Sequence, residues 1–110
     1  MLEITWSDFE KVDMRIGRII EVYEFPQARI PAYRIKVDLG HLGIKQSSAQ
    51  ITDKYKKEEL LGKQVVCVVN FPVKQIGPVK SEVLIMGSYS QGGVIILTPD
   101  KEAKEGDKIG

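Results

Sequence analysis

The chain has very few of the residues that build catalytic and metal sites. It contains one cysteine, one histidine and one tryptophan. The single cysteine, Cys67, excludes a disulfide within the chain and any metal site that needs several cysteines. It stands in the apolar run 65–69, which predicts a buried free thiol. His41 lies in a glycine-flanked turn, where we expect an exposed structural residue and no catalytic base.

Long apolar runs and an excess of charge of one sign are also missing. No stretch approaches the roughly 20 apolar residues that cross a bilayer, and the N-terminus carries acids where a signal peptide carries basic residues. We therefore expect a cytoplasmic protein. The formal net charge is only +1, so bulk charge does not indicate a nucleic-acid binder. Residues 25–37 and 60–81, however, contain basic residues and no acid, and together they can form a basic face.

The spacing of the remaining polar residues matches no known catalytic pattern. The glycines lack the spacing of a dinucleotide-binding or phosphate-binding loop. The carboxylates are scattered, without a pair that suggests general acid–base chemistry, and no Asp-rich loop is present to hold a metal ion. We therefore expect no catalytic residue, no metal ligand and no cofactor, and a protein that is not an enzyme.

Hydrophobic alternation predicts a mainly β domain. The expected strands cover residues 12–23, 33–39, 44–49, 64–70, 82–86 and 94–98. We expect a helical turn near the N-terminus, capped by Ser7 and Glu10, and a longer helix over 52–61. Residues 71–80, rich in proline and glycine, and residues 87–93 are expected to be connections. Gly17 offers the long first strand a place to bend.

The order of these elements indicates a small closed barrel. A helix between the third and fourth strands is the arrangement of the five-stranded OB fold, and a long bent first strand can serve both halves of such a barrel. A chain of 110 residues is too short for two independent cores. The sequence therefore predicts one domain over residues 1–110: a mainly all-β, five-stranded OB barrel with short terminal extensions.

Several segments resemble the tRNA-binding domains that are appended to some aminoacyl-tRNA synthetases. In chain order they are residues 9–17, 25–28, 33–40, 58–62 and 68–70. Within this family the chain is most similar to the free-standing CsaA type of export-related chaperone. The segments that carry this likeness are 28–33, 43–52, 70–72 and 81–84, and residues 45–52 are the most specific of them.

The chain departs from the RNA-binding branch of this family at two places. Arg29 and Ile30 stand where that branch has an acid and a lysine, and Gly77 and Pro78 stand where it has an arginine–glycine pair. Two cations are therefore lost, a lysine and an arginine that pairs with phosphate, and charge-assisted contacts to RNA are lost with them. The departures therefore favour unfolded protein over tRNA as the ligand.

The resemblance implies a molecular chaperone that binds unfolded preproteins and assists their export. The alternative is a tRNA- or RNA-binding OB module that acts in trans. An unfolded client requires an exposed apolar surface with a polar or basic rim. The apolar residues expected to contact it are Ile30, Pro31, Tyr33, Phe71, Pro72, Ile76 and Val79. The basic rim, which would serve RNA in the alternative, is expected to comprise Arg29, Arg34, Lys45, Asn70, Lys74, Lys80 and Ser81.

The resemblance also implies a homodimer, which would cover the exposed edges of a small barrel. Trp6, Phe9 and the uncharged run 83–99 are the candidates for its contact, and each of them can instead belong to the core. The expected partners are a second copy of the chain, unfolded preproteins and the export motor, with tRNA as the alternative ligand and no membrane insertion.

Overall fold

Antiparallel strands make up most of the protein, whose 110 residues are all described in this computed structural model. The helices are α1 (Trp6–Glu10) and α2 (Lys57–Leu60). The strands are β1 (Met14–Glu24), β2 (Tyr33–Asp38), β3 (Ile44–Ala49), β4 (Gln64–Val68), β5 (Lys74–Ile76), β6 (Val79–Ser81), β7 (Leu84–Ile85), β8 (Gly87–Ser90) and β9 (Gly93–Ile96). Neither α-helix has the length and apolarity that crossing a membrane requires.

The main sheet has the strand order β3-β2-β1-β4-β7, and β1 is the strand that joins its two halves. Residues 18–24 of β1 pair with β2, whereas residues 14–18 pair with β4. The register with β2 shifts between Ile19 and Glu21, so Ile20 is the extra residue of a bulge. A bulge bends the strand and increases its twist, and the long bent first strand is confirmed.

Gly17, where we expected the bend, has a different role. A Cβ atom at this position would clash with the side chains of Val37 and Leu39. Gly17 therefore allows β1 to lie close to the apolar side chains of the neighbouring strand, and the bend is displaced to Ile20.

The sheet curls until its two edges meet. The carbonyl oxygen of Gln46 on β3 accepts hydrogen bonds from the amides of Glu82 (2.8 Å) and Val83 (3.4 Å). Helix α2 lies between β3 and β4 in the chain. The structure therefore confirms the predicted fold, a mainly β, nearly closed five-stranded barrel of the OB type.

The interior of the barrel is filled by one cluster of 13 buried residues. It comprises Ile19, Tyr33, Ile35, Val37, Leu39, Ala49, Ile51, Leu60, Val65, Cys67, Val83, Ile85 and Ile96. Cys67 is a free, buried thiol, as the sequence predicts. Burial raises the pKa of this thiol to about 12, which keeps it protonated and unreactive near neutral pH.

The helix expected over 52–61 is much shorter in the structure, where it covers only Lys57–Leu60. Tertiary contacts of Tyr55 explain the difference. Its carbonyl oxygen accepts a hydrogen bond from the hydroxyl of Tyr33 (2.8 Å), and its own hydroxyl accepts one from the amide of Ile96 (3.1 Å). Because these bonds fix the chain at Tyr55 across the barrel, a helix cannot begin before it.

Two segments expected to be connections contain strands. Residues 71–80 include most of the hairpin β5–β6, whose strands pair across a turn at Gly77 and Pro78. Residues 87–93 include β8, which pairs with β9. The first ribbon turns at Gly77 and Pro78 and the second at Gln91 and Gly92, and composition alone does not distinguish such turns from a loop.

The cap of α1 also differs from the prediction. Thr5 and Asp8 form the capping box, in place of Ser7 and Glu10: the Asp8 amide donates to Thr5 Oγ1 (3.1 Å), and the Thr5 amide donates to Asp8 Oδ2 (3.0 Å). Accepting the backbone hydrogen bond from Thr5 lowers the pKa of Asp8. The helix therefore begins two residues earlier than expected.

The polar C-terminal residues pack against β1. The amide of Gly106 donates to the carbonyl of Ile16 (2.7 Å), and the amide of Ile109 donates to the carbonyl of Met14 (2.9 Å). This segment lies along the first half of β1, which does not pair with β2. The C-terminal segment thereby covers an edge that would otherwise expose unpaired backbone groups.

The neighbouring leucines of α2 provide a test of the core. Leu60 is fully buried, whereas Leu61 is 57% exposed. We expect Leu60→Ala to lower the free energy of unfolding by about 2–5 kcal/mol, because it leaves a cavity in the barrel. Leu61→Ala is the matched control and should change it by less than about 0.5 kcal/mol. Urea denaturation followed by circular dichroism measures both, and equal effects would contradict this assignment of the core.

Candidate functional site

A groove of about 1150 Å³ lies beside β3, next to the place where the barrel closes. Thirteen of its 23 lining residues are hydrophobic. The 23 residues come from the loop 28–32, from 47–51 at the end of β3, from the hairpin β5–β6 and residues 71–72 before it, from the segment 82–89, and from Val94 on β9. Elements that are far apart in the chain therefore form one concave, mainly apolar surface.

Three side chains give the groove its exposed apolar character. Ile30 is 58% exposed, Phe71 is 57% exposed and Leu84 is 49% exposed, and all three line the groove. Each comes from a different element: the loop after β1, the start of the hairpin and β7. Because exposed apolar side chains that cluster in a concavity are a common sign of a binding site, we treat this groove as the candidate functional site.

The structure brings together four of the seven residues predicted to contact a client. Ile30, Phe71, Pro72 and Ile76 line the groove. Pro31 is exposed in the same loop but does not line the groove.

The other two residues of that set, Tyr33 and Val79, are buried and offer no surface to a ligand. The alternation of β2 directs Tyr33 into the barrel, where its hydroxyl bonds to the backbone of Tyr55. Val79 packs against Phe25 and Ala32 in a second, smaller core. Their expected place on a client-binding surface is therefore corrected, because both are structural.

The predicted basic rim is divided between the groove and other surfaces. Arg29, Lys74 and Ser81 line the groove. Lys80 is exposed but lies outside its lining. Of these four residues, the three cations form no salt bridge within the chain.

The remaining rim residues have partners within the protein. The guanidinium of Arg34 lies 4.5 Å from the centre of the Tyr23 ring, a cation–π geometry. Lys45 forms an ion pair with Glu82. The side chain of Asn70 accepts a hydrogen bond from the Asp13 amide (3.0 Å) and donates one to the Lys11 carbonyl (2.6 Å). These three residues contact other parts of the protein and lie outside the groove lining.

The charge of the groove is positive. Its only acid is Glu82, and this carboxylate lies 3.9 Å from the ammonium of Lys45. Arg29 and Lys74 have no acidic partner. The groove therefore presents two unpaired cations at the margin of an apolar surface.

The side chains of Ser81, the last residue of β6, and of Glu82, which follows it, bind the backbone edge of β3. The Oε1 atom of Glu82 accepts a hydrogen bond from the Gln46 amide (3.1 Å), and the Oγ atom of Ser81 accepts one from the Ser48 amide (3.2 Å). The amides on this edge of β3 are thus bound by side chains, while the Gln46 carbonyl is bound by the backbone amides of Glu82 and Val83. We call this part of the barrel, Gln46–Ser48 with Ser81–Glu82, the seam.

Sequence reasoning missed several residues of the groove. Leu84 and Tyr89, which is 98% exposed, lie in the run 83–99, which the sequence indicated only as core or dimer contact. Alternation along the run is a signal for Leu84: Val83 and Ile85 are buried, so Leu84 between them must face outward. Gln50 also lines the groove, and nothing in its sequence context indicated this.

A second, polar pocket of about 270 Å³ lies around Arg18. The Arg18 guanidinium is paired with the carboxylates of Glu102 and Glu105 and donates to the Gly62 carbonyl (2.8 Å). Its charge is therefore compensated within the protein. No group of three or more histidine, cysteine, aspartate or glutamate side chains is placed to hold a metal ion.

Comparison with known proteins identifies relatives over nearly the whole chain. A family model described as a putative tRNA binding domain matches residues 14–108. The methionine–tRNA ligase of Pyrococcus horikoshii is 39% identical over 106 residues, which cover 96% of this chain and 14% of the ligase. This chain thus spans about a seventh of the length of the curated ligases that it matches.

Two solved structures are similar over both chains. The chaperone CsaA of Bacillus anthracis str. Ames is 46% identical, with a TM-score of 0.93, and the match covers 99% of this chain and 100% of that one. The CsaA chaperone protein of Picrophilus torridus is 50% identical, with a TM-score of 0.94, and the match covers 98% and 100%. The family match, the sequence identity and the common barrel lead to one conclusion: the chain belongs to the tRNA-binding domain family and is similar in sequence and structure to the CsaA chaperones.

Proposed function

We propose that the protein is a chaperone that acts by binding and not by catalysis. It holds unfolded segments of preproteins in the groove, in the cytoplasm, and so assists their export. The observation that carries the proposal is the concave apolar surface around Ile30, Phe71 and Leu84, which remains exposed to solvent. An unfolded segment offers the apolar side chains that can cover such a surface.

The size of the exposed surface is suited to reversible binding. About half of each of the three apolar side chains is exposed, so covering one contributes about 1 kcal/mol. Three such contacts contribute about 3 kcal/mol in all, which is short of the roughly 8 kcal/mol of a micromolar complex, so further contacts along the groove have to supply the rest. Binding made of several weak contacts allows a holding chaperone to capture a client and later release it.

The similarity to proteins named as chaperones supports the same function. The two CsaA structures are matched along their full length, so the groove lies entirely within the shared fold. The departures at Arg29, Ile30, Gly77 and Pro78 fall in the loop that lines the groove and in the turn of the adjacent hairpin. Positions 30 and 77 thereby lose a lysine and an arginine that an RNA ligand would use, position 29 exchanges an acid for a cation, and position 30 gains an apolar side chain.

RNA binding in trans is the second candidate, and three unpaired cations favour it. Arg29 and Lys74 line the groove, and Lys80 is exposed on the same hairpin. The exposed rings of Phe71 and Tyr89 can stack on unpaired bases. The family itself is described by tRNA binding. The two candidate functions make opposite predictions for the effect of salt.

We also propose that the protein is a homodimer and that its N-terminal segment contributes to the contact. Met1, Leu2, Ile4 and Trp6 are all more than two-thirds exposed. The ring of Trp6 lies 5.3 Å from that of Phe9, which fixes its position on α1. Exposed apolar side chains at four of the first six positions suit a symmetric contact between two copies.

Titration at two salt concentrations separates the two candidate functions. We expect an unfolded preprotein to bind with an affinity that is unchanged or higher when salt rises from about 50 to 200 mM, because apolar burial is not screened. If three phosphate contacts carried tRNA binding instead, the affinity for tRNA would fall roughly 40-fold over this range. Fluorescence anisotropy of a labelled client and of labelled tRNA measures both. Tight tRNA binding without client binding would refute the chaperone proposal.

Two variants test whether the groove is the site of client binding. Phe71→Ala should weaken client binding about tenfold, which corresponds to about 1.4 kcal/mol. Leu61→Ala is the matched control, since Leu61 is exposed to the same 57% and lies outside the groove. Equal affinities of the two variants would place the client elsewhere.

Light scattering after size-exclusion chromatography tests the proposed dimer. We expect twice the monomer mass at micromolar concentration, and the monomer mass for Trp6→Glu, because a charge at this position would be buried in the contact. Val73→Glu is the control, since Val73 is 57% exposed on the hairpin. A wild-type protein that elutes as a monomer would contradict the proposal.

A further inference from the structure

The edge of β3 that faces the groove has an alternating set of backbone donors. The amides of Gln46 and Ser48 point away from β2, since they bond to side chains of the seam. The side-chain and hydrogen-bond period of a strand is two residues. The next amide on this edge is therefore that of Gln50, directly after the end of β3.

The backbone groups that follow the seam are unpaired. Neither the amide nor the carbonyl of Gln50 has a hydrogen-bond partner in the protein, and the carbonyl of Ser48 points to the same side of β3 as its amide, away from β2. Ser48 and Gln50 both line the groove. An acceptor, a donor and a second acceptor thus stand in a row on the groove wall, in the order that an added strand requires.

We propose that the ligand is an extended polypeptide segment that adds a strand to this edge, through the backbone of Ser48 and Gln50. This inference rests on the proposed chaperone function and specifies how the client is held. Main-chain hydrogen bonds do not depend on the client's sequence, so one edge can accept many clients. Alternate side chains of the added strand then face Ile30, Phe71 and Leu84 in the groove.

The seam fixes where the added strand can begin. Glu82 and Ser81 already occupy the amides of Gln46 and Ser48, so a client cannot pair with that part of β3. Only the short edge beyond Ser48 remains available. The same side chains thereby prevent two copies of the protein from joining along the whole of β3, which is how exposed edges cause aggregation.

Charge selects among the possible segments. Arg29 and Lys74 line the groove without acidic partners, and Glu82, its one carboxylate, is paired with Lys45. A segment with a lysine or arginine beside its apolar residues would place like charges together, whereas an acidic neighbour would be attracted. The expected ligand is therefore an extended segment with alternate apolar residues and a neutral or acidic flank.

Backbone N-methylation of the ligand tests strand addition without changing the protein. The probe is a labelled eight-residue peptide with alternate valine and serine residues and an aspartate at each end. N-methyl groups are placed on either the odd or the even residues, which preserves every side chain and the net charge. We expect one of these two peptides to bind about tenfold more weakly than the unmodified peptide and the other to bind within about threefold. Equal affinities of the two methylated peptides would overturn strand addition.

Substitutions at Gln50 give an independent readout on the protein. Gln50→Pro removes the amide hydrogen and should weaken binding of the unmodified peptide about tenfold more than Gln50→Ala does, because the alanine variant loses the same side chain but keeps the amide. Replacing the terminal aspartates of the peptide by lysines should also weaken binding, and a gain in affinity would overturn the charge preference.

The outcomes distinguish failure of this inference from failure of the chaperone proposal. If the unmodified peptide binds and Phe71→Ala weakens it but the two methylated peptides bind equally, the groove is the site and strand addition is wrong. If neither the peptide nor an unfolded preprotein binds, or if only tRNA binds, the chaperone proposal is wrong and strand addition fails with it.

Discussion

The hydrogen bonds that the Ser81 and Glu82 side chains accept from the backbone amides of β3 hold the barrel together where its two edges meet. Two backbone bonds to the Gln46 carbonyl add to this closure. Because these few bonds and not a paired strand complete the edge, the elements on either side of the seam stay apart beyond Ser48. The groove occupies the space between them. The open surface is thus a direct consequence of how the barrel closes.

The same arrangement explains the distribution of charge. Glu82 serves the seam and is paired with Lys45, so it cannot neutralise Arg29 or Lys74. The groove combines exposed apolar side chains with uncompensated positive charge. This combination suits an unfolded segment with a neutral or acidic flank. It also explains why both unfolded polypeptide and RNA are candidate ligands. The apolar side chain of Ile30 on the groove wall favours the polypeptide.

The sequence was sufficient to predict the barrel because its strands alternate. Residues 33–39 have buried side chains at every second position, and the predicted strands at 33–39 and 44–49 agree closely with β2 and β3. Features set by tertiary contacts were not predictable. The hydrogen bonds of Tyr55 shorten α2, and close packing against Val37 explains Gly17.

The groove was predictable only in part. The proline-rich stretch and the loop after β1 indicated Phe71, Pro72, Ile76 and Ile30, because so many prolines suggested a surface segment. Burial of Tyr33 was predictable, because Tyr33 alternates with the buried residues Ile35 and Val37 in β2. Burial of Val79 was not, because the three residues of β6 are too few to show which face meets the core. The unpaired backbone of Gln50 carries no side-chain signal and became visible only in the structure.

The central claim is that an unfolded segment binds in the groove beside the seam. Backbone amide chemical shifts, recorded by NMR with and without a saturating unfolded client peptide, test it most directly. The account predicts that the largest changes fall at Ile30, Gln50 and Leu84, and that amides around Arg18 in the polar pocket do not move. Changes confined to the Arg18 pocket or to the N-terminal segment, with the groove unaffected, would contradict it.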